Sequence, residues 1–323
     1  MLVTGGAGFI GSNLVRSLLA SKGAVRVLDN LSTGSAENLQ GLNEAVELVE
    51  GDIRDGDTVR RAVDGCELVF HLAALPSVAR SISDPAGCNE VNVTGTLNLL
   101  RASIDAGVRR FVLASSSSVY GDTTTLPKHE ELPTSPRSPY AASKLAAESY
   151  CRSFAPAFGL ETVALRFFNV FGPRQNPDSE YAAVVPRFVT RAISNLPPVV
   201  FGDGYQSRDF TFVENAVQAC VLAGEANARA SGEAINVGCG ERYSLRDMID
   251  VLGELIGRSL SATFDAPRLG DVRDSQADIS KARDLLGYNP VVGFKEGLAR
   301  TIEWFGGSTY NEESAVSAAT ASP

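Results

Sequence analysis

A chain of 323 residues with 44% apolar content can bury a full core in one large domain or two. Its formal charge of −9 argues against nucleic acid or an anionic membrane as a partner. The cysteines at 66, 88, 151, 220 and 239 are odd in number, scattered and never spaced as Cys-x-x-Cys, which fits reduced thiols in a cytosol better than a disulfide frame or a zinc site.

No run is apolar and long enough to span a membrane. The sequence opens directly into Leu2-Val3-Thr4, leaving no room for a signal peptide, so a cytoplasmic location is expected. His71 sits inside an apolar run, which argues against metal catalysis. Arg60-Arg61 and Arg109-Arg110 read as a solvated helix end and a solvated strand start.

The first feature in chain order is Thr4-Gly5-Gly6-Ala7-Gly8-Phe9-Ile10-Gly11, a strand end, then glycines, then the helical pattern Leu14, Val15, Leu18, Leu19. Glycines here permit a tight turn and let backbone N–H groups approach a pyrophosphate at the helix N-terminus. Alone this is only a turn, but Val25-Arg26-Val27-Leu28 follows as a second strand and ends at Asp29. A carboxylate there can accept both ribose hydroxyls of NAD and repels the extra phosphate of NADP. Strands are then expected at Val46–Val49, Leu68–Leu72, Phe111–Ala114 and Thr162–Arg166, with a long helical pattern from about Asp84 to Ala106. Such alternation predicts an α/β chain with a parallel, doubly wound sheet, whose ligands bind at the carboxyl ends of strands. The glycine loop, Asp29, Ala73-Ala74 and the run Ser115-Ser116-Ser117-Ser118 all fall at such ends.

The stretch Ser138-Pro139-Tyr140-Ala141-Ala142-Ser143-Lys144 starts a helix, with Pro139 in its first turn. Tyr140 and Lys144, four apart, share one face. A phenol ionises near pH 10, and lowering this by about three units requires roughly 4 kcal/mol. An ammonium about 4 Å away is expected to supply it, making a base that works near neutrality. A hydroxyl from the serine run would bridge the phenolate and a substrate oxygen. Beyond residue 170 the alternation breaks into a proline- and glycine-rich lobe. Arg208 and Arg268 there are candidates to clamp a diphosphate, against surface ion pairing. Phe210–Val213 and Ala234–Asn236 read as a return to the main sheet. Residues 244–305 read as helical, and 306–323 as a disordered tail.

Taken together, the glycine loop, Asp29-Asn30-Leu31, Gly51-Asp52-Ile53, Ser115–Gly121, Ser138-Pro139-Tyr140, Arg166-Phe167-Phe168-Asn169 and Gly270-Asp271-Val272-Arg273 resemble the extended short-chain dehydrogenase/reductases. Within them the chain is most similar to nucleotide-sugar 4-epimerases of the UDP-galactose 4-epimerase type, near the UDP-N-acetylhexosamine branch. The resemblance covers roughly residues 1–305. It implies a Rossmann-type domain of residues 1–170 plus about 210–240, and a smaller mixed α/β nucleotide-sugar lobe of about 171–209 plus 241–305. It implies Ser116, Tyr140 and Lys144 as the catalytic set. Gly5, Gly8, Phe9, Ile10, Gly11, Asp29, Asn30, Ser32 and Gly34 would hold NAD, with Asp52, Ile53, Leu72, Ala73, Ala74, Asn92, Ser115 and Phe168. Ser77, Ser117, Asn169, Ala183, Val184, Val199, Phe201, Arg208, Arg268, Asp271 and Ser275 would meet the UDP-sugar. The implied reaction inverts C4 through a 4-keto sugar with no net redox change, and a homodimer through the helices near 84–106 and 140–155 is implied as well. The resembling dehydratases carry acids where Ser117 and Ser118 stand, which argues against elimination. Pro76 and the small Ser275 leave room for an N-acetyl group, and UDP-glucuronate is the alternative substrate, its carboxylate met by serines or Arg80. A non-catalytic NAD-binding regulator on the same fold is a further alternative, disfavoured by the intact Ser/Tyr/Lys set.

Overall fold

The computed structural model describes residues 1–21, 23–42, 45–177, 183–267 and 272–320, with side chains through 307. Strand β1 (Leu2–Thr4) runs through the glycine loop into α1 (Phe9–Ala20), β2 (Val25–Asp29) and β3 (Val46–Glu50); α2 (Gly56–Val63) and β4 (Leu68–His71) follow. Helices α3 (Val78–Ser83), α4 (Pro85–Asn89) and α5 (Gly95–Asp105) lead to β5 (Arg110–Ser116), then α6 (Pro139–Phe158) and β6 (Glu161–Phe167). The smaller elements β7 (Val170–Phe171), α7 (Val184–Ile193), β8 (Val199–Phe201), β9 (Ser207–Arg208) and β10 (Thr211–Phe212) precede α8 (Val213–Glu225) and β11 (Glu233–Val237). The chain ends with β12 (Tyr243–Ser244), α9 (Leu245–Ile256), β13 (Thr263–Asp265), α10 (Ser280–Leu286) and α11 (Phe294–Thr320).

Seven strands form one parallel sheet in the order β11-β6-β5-β4-β1-β2-β3. The chain winds outward from β1 in one direction and then, from β4, in the other. The crevice at the carboxyl ends of β1 and β4 is therefore the switch point where such sheets take ligands. Strand side chains alternate between faces. Val3, Val27, Phe70, Val112 and Leu165 enter the core under α1 and α8, whereas Leu2, Leu28, Val69, Phe111 and Ala164 enter the one under α2, α5 and α6. The first core continues through Phe171 into α7, α9 and α11 by way of Phe188, Leu252 and Leu298, tying the smaller elements to the sheet.

Some expectations need correction. The long helical pattern is α4 and α5 joined by a π-helical segment, Glu90–Thr94. Phe210–Val213 does not rejoin the main sheet: β10 pairs with β7, and only β11 returns, at the edge beside β6. The span from Ser244 contains β13, which pairs with β8, so it is not purely helical. Helix α11 continues past Gly306 to Thr320, through a stretch expected to lack structure that holds no proline before Pro323 to break it. Arg110 is no solvated strand start. It is 1% exposed, and its guanidinium donates to Glu161 Oε2 at 2.6 and 3.1 Å and to the Ala223 carbonyl at 3.0 Å. Glu161 stands directly opposite Arg110 on the neighbouring strand, so the register itself pairs the buried charge. No helix among the described residues is long and apolar enough to cross a membrane.

His71, at the end of β4, is a buried structural group. Its Nδ1 lies 2.7 Å from Thr4 Oγ1 and its Nε2 lies 2.9 Å from Thr96 Oγ1. Thr96 commits its own proton to the Asn92 carbonyl at 2.6 Å, so Nε2–H donates to Thr96 and Nδ1 accepts from Thr4. The ring is thus held neutral, and burial, helped by the Lys144 charge, lowers its pKa to about 3. Because the unfolded chain binds this proton more readily, stability present above about pH 6.5 is lost as pH falls towards 3. Acidifying from pH 7 to 4 should cost roughly 3 kcal/mol through this group. Urea unfolding at the two pH values is expected to show that loss in the parent and a much smaller one in His71→Asn.

Candidate active site

The glycine loop is dictated by close approach. Gly5 has φ +70°, and a Cβ there would lie 2.6 Å from the Ala73 nitrogen at the end of β4. A Cβ on Gly11 would lie 2.1 Å from the Gly5 carbonyl oxygen, well inside van der Waals contact. Gly8 occupies the N-cap of α1 in an extended conformation, and no side chain caps the helix. Free first-turn N–H groups and the helix dipole therefore face the switch-point crevice, flanked by Phe9 and Ile10. Asp29 closes the next strand. Its Oδ2 accepts from Ala7 N and its Oδ1 from Leu31 N, both at 2.9 Å, with Leu31 at φ 57°. Each oxygen keeps a lone pair for a ribose hydroxyl. Exposed Asn30 donates to Asp52 and accepts from Ser32 N, and Gly34 lies against the Ala7 backbone.

The Arg54 hydrogen bond, which outweighs partial burial, holds Asp52 at a pKa of about 2. Ile53 is buried beneath Gly95. Leu72 and Ala73 donate to Thr4, which keeps their backbone, and that of half-buried Ala74, beside the glycine loop. Asn92, 2% exposed, pairs with both backbone groups of Leu75 and donates to Ser143 Oγ at 3.0 Å, so it braces this loop against α6. Phe168 is fully buried, its ring packed beside Tyr120, and presents no side-chain surface to the crevice.

The reactive groups stand where β5 ends and α6 begins. Ser138 caps α6 by accepting from Ala141 N at 3.1 Å, with Pro139 in the first turn as expected. Ser81 Oγ accepts from Tyr140 N at 3.0 Å. On the facing strand, Ser115 and Ser116 end β5 and Ser117–Tyr120 form a 3-10 turn, with Ser116 Oγ accepting from Ser118 N. Ser116 also acts on the Tyr140 phenol, in the direction that lowers its pKa. The phenol is not held below its ordinary value as expected. The Lys144 Nζ donates to the Ala114 carbonyl at 2.8 Å, and burial raises the Tyr140 pKa despite the opposing effect of Ser116. Burial also lowers the Lys144 pKa to about 8, against the pull of Cys88 and Glu148.

Among expected substrate residues, Ser77 caps α3, Ala183 and Val184 open α7, and exposed Asn169 follows β6. Val199 and Phe201 bound β8, and Arg208 lies on β9, its Nη1 donating to the Ser207 and Arg273 carbonyls. Ser275 is buried with its backbone on Ser207. Arg268 and Asp271 lie outside the described residues. Two features were missed from sequence. Lys128 is buried, its Nζ donating to the Gly121 carbonyl at 3.3 Å, and burial, then Arg208, lowers its pKa. Glu148 and Arg166 form a buried ion pair on the face of α6 that carries Tyr140 and Lys144. The i+4 spacing from Lys144 to Glu148 was the available signal. A cavity of about 1100 Å³ lies off the crevice, with Glu148, Arg152, Arg166, Glu233 and Lys281 in its lining. Among the described residues no cluster of three or more His, Cys, Asp or Glu side chains could hold a metal.

The uncapped helix start, the glycines that leave no room for a Cβ, and Asp29 fit a dinucleotide. Residues 1–238 match the NAD dependent epimerase/dehydratase family. The chain belongs to that family. UDP-glucose 4-epimerase of Mycolicibacterium smegmatis is 42% identical over 308 residues, covering 94% of this chain and 97% of that protein. The structure of UDP-N-acetylglucosamine 4-epimerase from Methanobrevibacter ruminantium, solved with UDP-N-acetylmuramic acid, superposes with TM-score 0.91 at 37% identity, covering 95% of this chain and 98% of that one. UDP-glucuronic acid 4-epimerase from Bacillus cereus, in complex with UDP-glucuronic acid and NAD, gives TM-score 0.87 at 34% identity over 94% of this chain and 98% of its own. Like these, the chain has the seven-stranded sheet of a Rossmann-type enzyme. Gly11→Ala should cost at least about 2 kcal/mol and strip the dinucleotide from the purified protein, whereas Gly293→Ala, in open space, should be near neutral. Denaturant midpoints and the nucleotide content of the two variants check this.

Proposed function

We propose that the protein is an NAD-dependent UDP-sugar 4-epimerase acting on UDP-glucose/UDP-galactose, on the corresponding UDP-N-acetylhexosamines, or on both. The observation that carries this reading is the convergence of Ser116, Tyr140 and Lys144 at the carboxyl end of β5, beside the uncapped glycine loop and with serines, not acids, at 117 and 118. The first-turn N–H groups of α1 hold the pyrophosphate and Asp29 the adenosine ribose. Bound in its oxidised form, NAD supplies both an acceptor for the C4 hydrogen and a positive charge beside the phenol. Tyr140 would take the C4 hydroxyl proton, bridged by Ser116, and return it to the C4 oxygen once the keto sugar has turned its other face towards the nicotinamide, from which C4 regains its hydrogen. Arg208 grips the diphosphate while the hexose rotates.

UDP-glucuronate is the second reading, favoured by one observation: the Ser118 hydroxyl is buried with no hydrogen-bond partner among the described residues, next to Ser117. We further infer a homodimer through α6 and, in place of the helices expected near 84–106, through α3, because Val78, Ile82, Tyr150 and Phe158 are exposed apolar side chains on these neighbouring helices. Five free cysteines suit the reducing cytoplasm.

Incubation with UDP-glucose, UDP-N-acetylglucosamine and UDP-glucuronate, with chromatographic separation of the isomers, is expected to show interconversion of one or both of the first two. Interconversion of UDP-glucuronate alone selects the second reading. Tyr140→Phe should lose about 10²–10⁴-fold in kcat while retaining NAD; unchanged turnover, or a parent devoid of NAD, would sink the mechanism.

A further inference from the structure

We propose that Glu148 is a positioning residue for the Tyr140–Lys144 pair, a buried anion that fixes α6 against the end of β5 and supplies the counter-charge to the Lys144 ammonium. The proposal rests on the epimerase reading above. Tyr140, Lys144 and Glu148 follow at four-residue spacing on one face of α6. Glu148 is 6% exposed and reaches two strands at once. Its Oε1 accepts from Ser115 Oγ at 2.5 Å, and its two oxygens accept from the Arg166 guanidinium at 2.8–3.2 Å. Ser115 and Arg166 face each other across β5 and β6, so a single carboxylate is bolted to adjacent positions of the sheet. Ser115 also precedes Ser116, so the same fastening sets where the Ser116 hydroxyl stands relative to the phenol. Arg166 is held in turn, donating to Tyr120 OH at 2.9 Å with its guanidinium 4.8 Å from that ring, and Tyr120 OH donates to Asn236 Oδ1 at 2.7 Å.

The titratable groups facing Lys144 are Tyr140 and Glu148 on α6, Cys88 on α4 and His71 on β4, with Arg166 of β6 behind Glu148. Burial takes Lys144 down to about 8, and Cys88 and then Glu148 oppose that fall. Removing the carboxylate therefore lowers Lys144 further and leaves Arg166 buried without its anion. Lys144 would then be neutral at pH values where the enzyme needs its charge.

The test uses full-length holoenzyme labelled with [13C]lysine, whose five lysines give a spectrum simple enough to follow by NMR against pH. The Lys144 signal is the one missing from Lys144→Met. In Glu148→Gln the Lys144 midpoint should fall by at least about one pH unit. The alkaline limb of kcat should move with it, and kcat at pH 8 should drop about 10–100-fold with KM for the UDP-sugar changed less than about twofold. Glu148→Gln combined with Arg166→Met removes the stranded cation; it should regain thermal stability, yet keep the lowered Lys144 midpoint. A Lys144 midpoint unmoved in Glu148→Gln, or restored together with stability in the double variant, would overturn the proposal. A parent that interconverts no UDP-sugar overturns the epimerase reading instead, and the NMR titration separates the two failures.

Discussion

Taking an ammonium out of water is unfavourable unless its charge is met, and the centre of this protein holds Lys144 in that condition. Burial acts in opposite senses on the two partners: it raises the phenol of Tyr140 and lowers the ammonium of Lys144. Both shifts disfavour the charged forms, so a positive charge brought against the phenol would act in the direction that helps it ionise, which is the part the proposed mechanism gives to the oxidised dinucleotide.

The scaffold serves that coupling by bringing separate strand ends to one crevice. β1 delivers the glycine loop, β2 delivers Asp29, β4 delivers the Leu72–Ala74 backbone and β5 delivers Ser116. None of these neighbours another along the chain. The parallel register alone makes them adjacent, and buried polar links such as Thr4–His71–Thr96 and Ser115–Glu148–Arg166 pin the strands to the helices that cross them.

Much of this was legible before any coordinates. Glycine spacing, an acid at a strand end and a tyrosine–lysine pair behind Pro139 are local patterns, and each lands on the element expected of it. What sequence could not convey was pairing between distant residues. Arg110 reads as a surface charge until Glu161 is seen opposite it in the sheet. The partners of Asn92 and Phe168, Leu75 with Ser143 and Tyr120, were equally out of reach of a sequence reading. The direction of the Lys144 side chain was equally invisible: helical spacing puts it beside Tyr140, but the Ala114 carbonyl decides where its charge goes.

The turn that follows β2 is knotted to the glycine loop by more than Asp29. The Ala7 carbonyl also accepts from Ser35 N at 3.0 Å and from Asn38 Nδ2 at 2.9 Å, so both halves of the dinucleotide cradle are one hydrogen-bonded body. Chain entropy that a floppier cradle would surrender on each encounter has already been given up during folding. Such preorganisation favours slow dissociation, the property required of a prosthetic group that must hand back what it has taken within a single turnover.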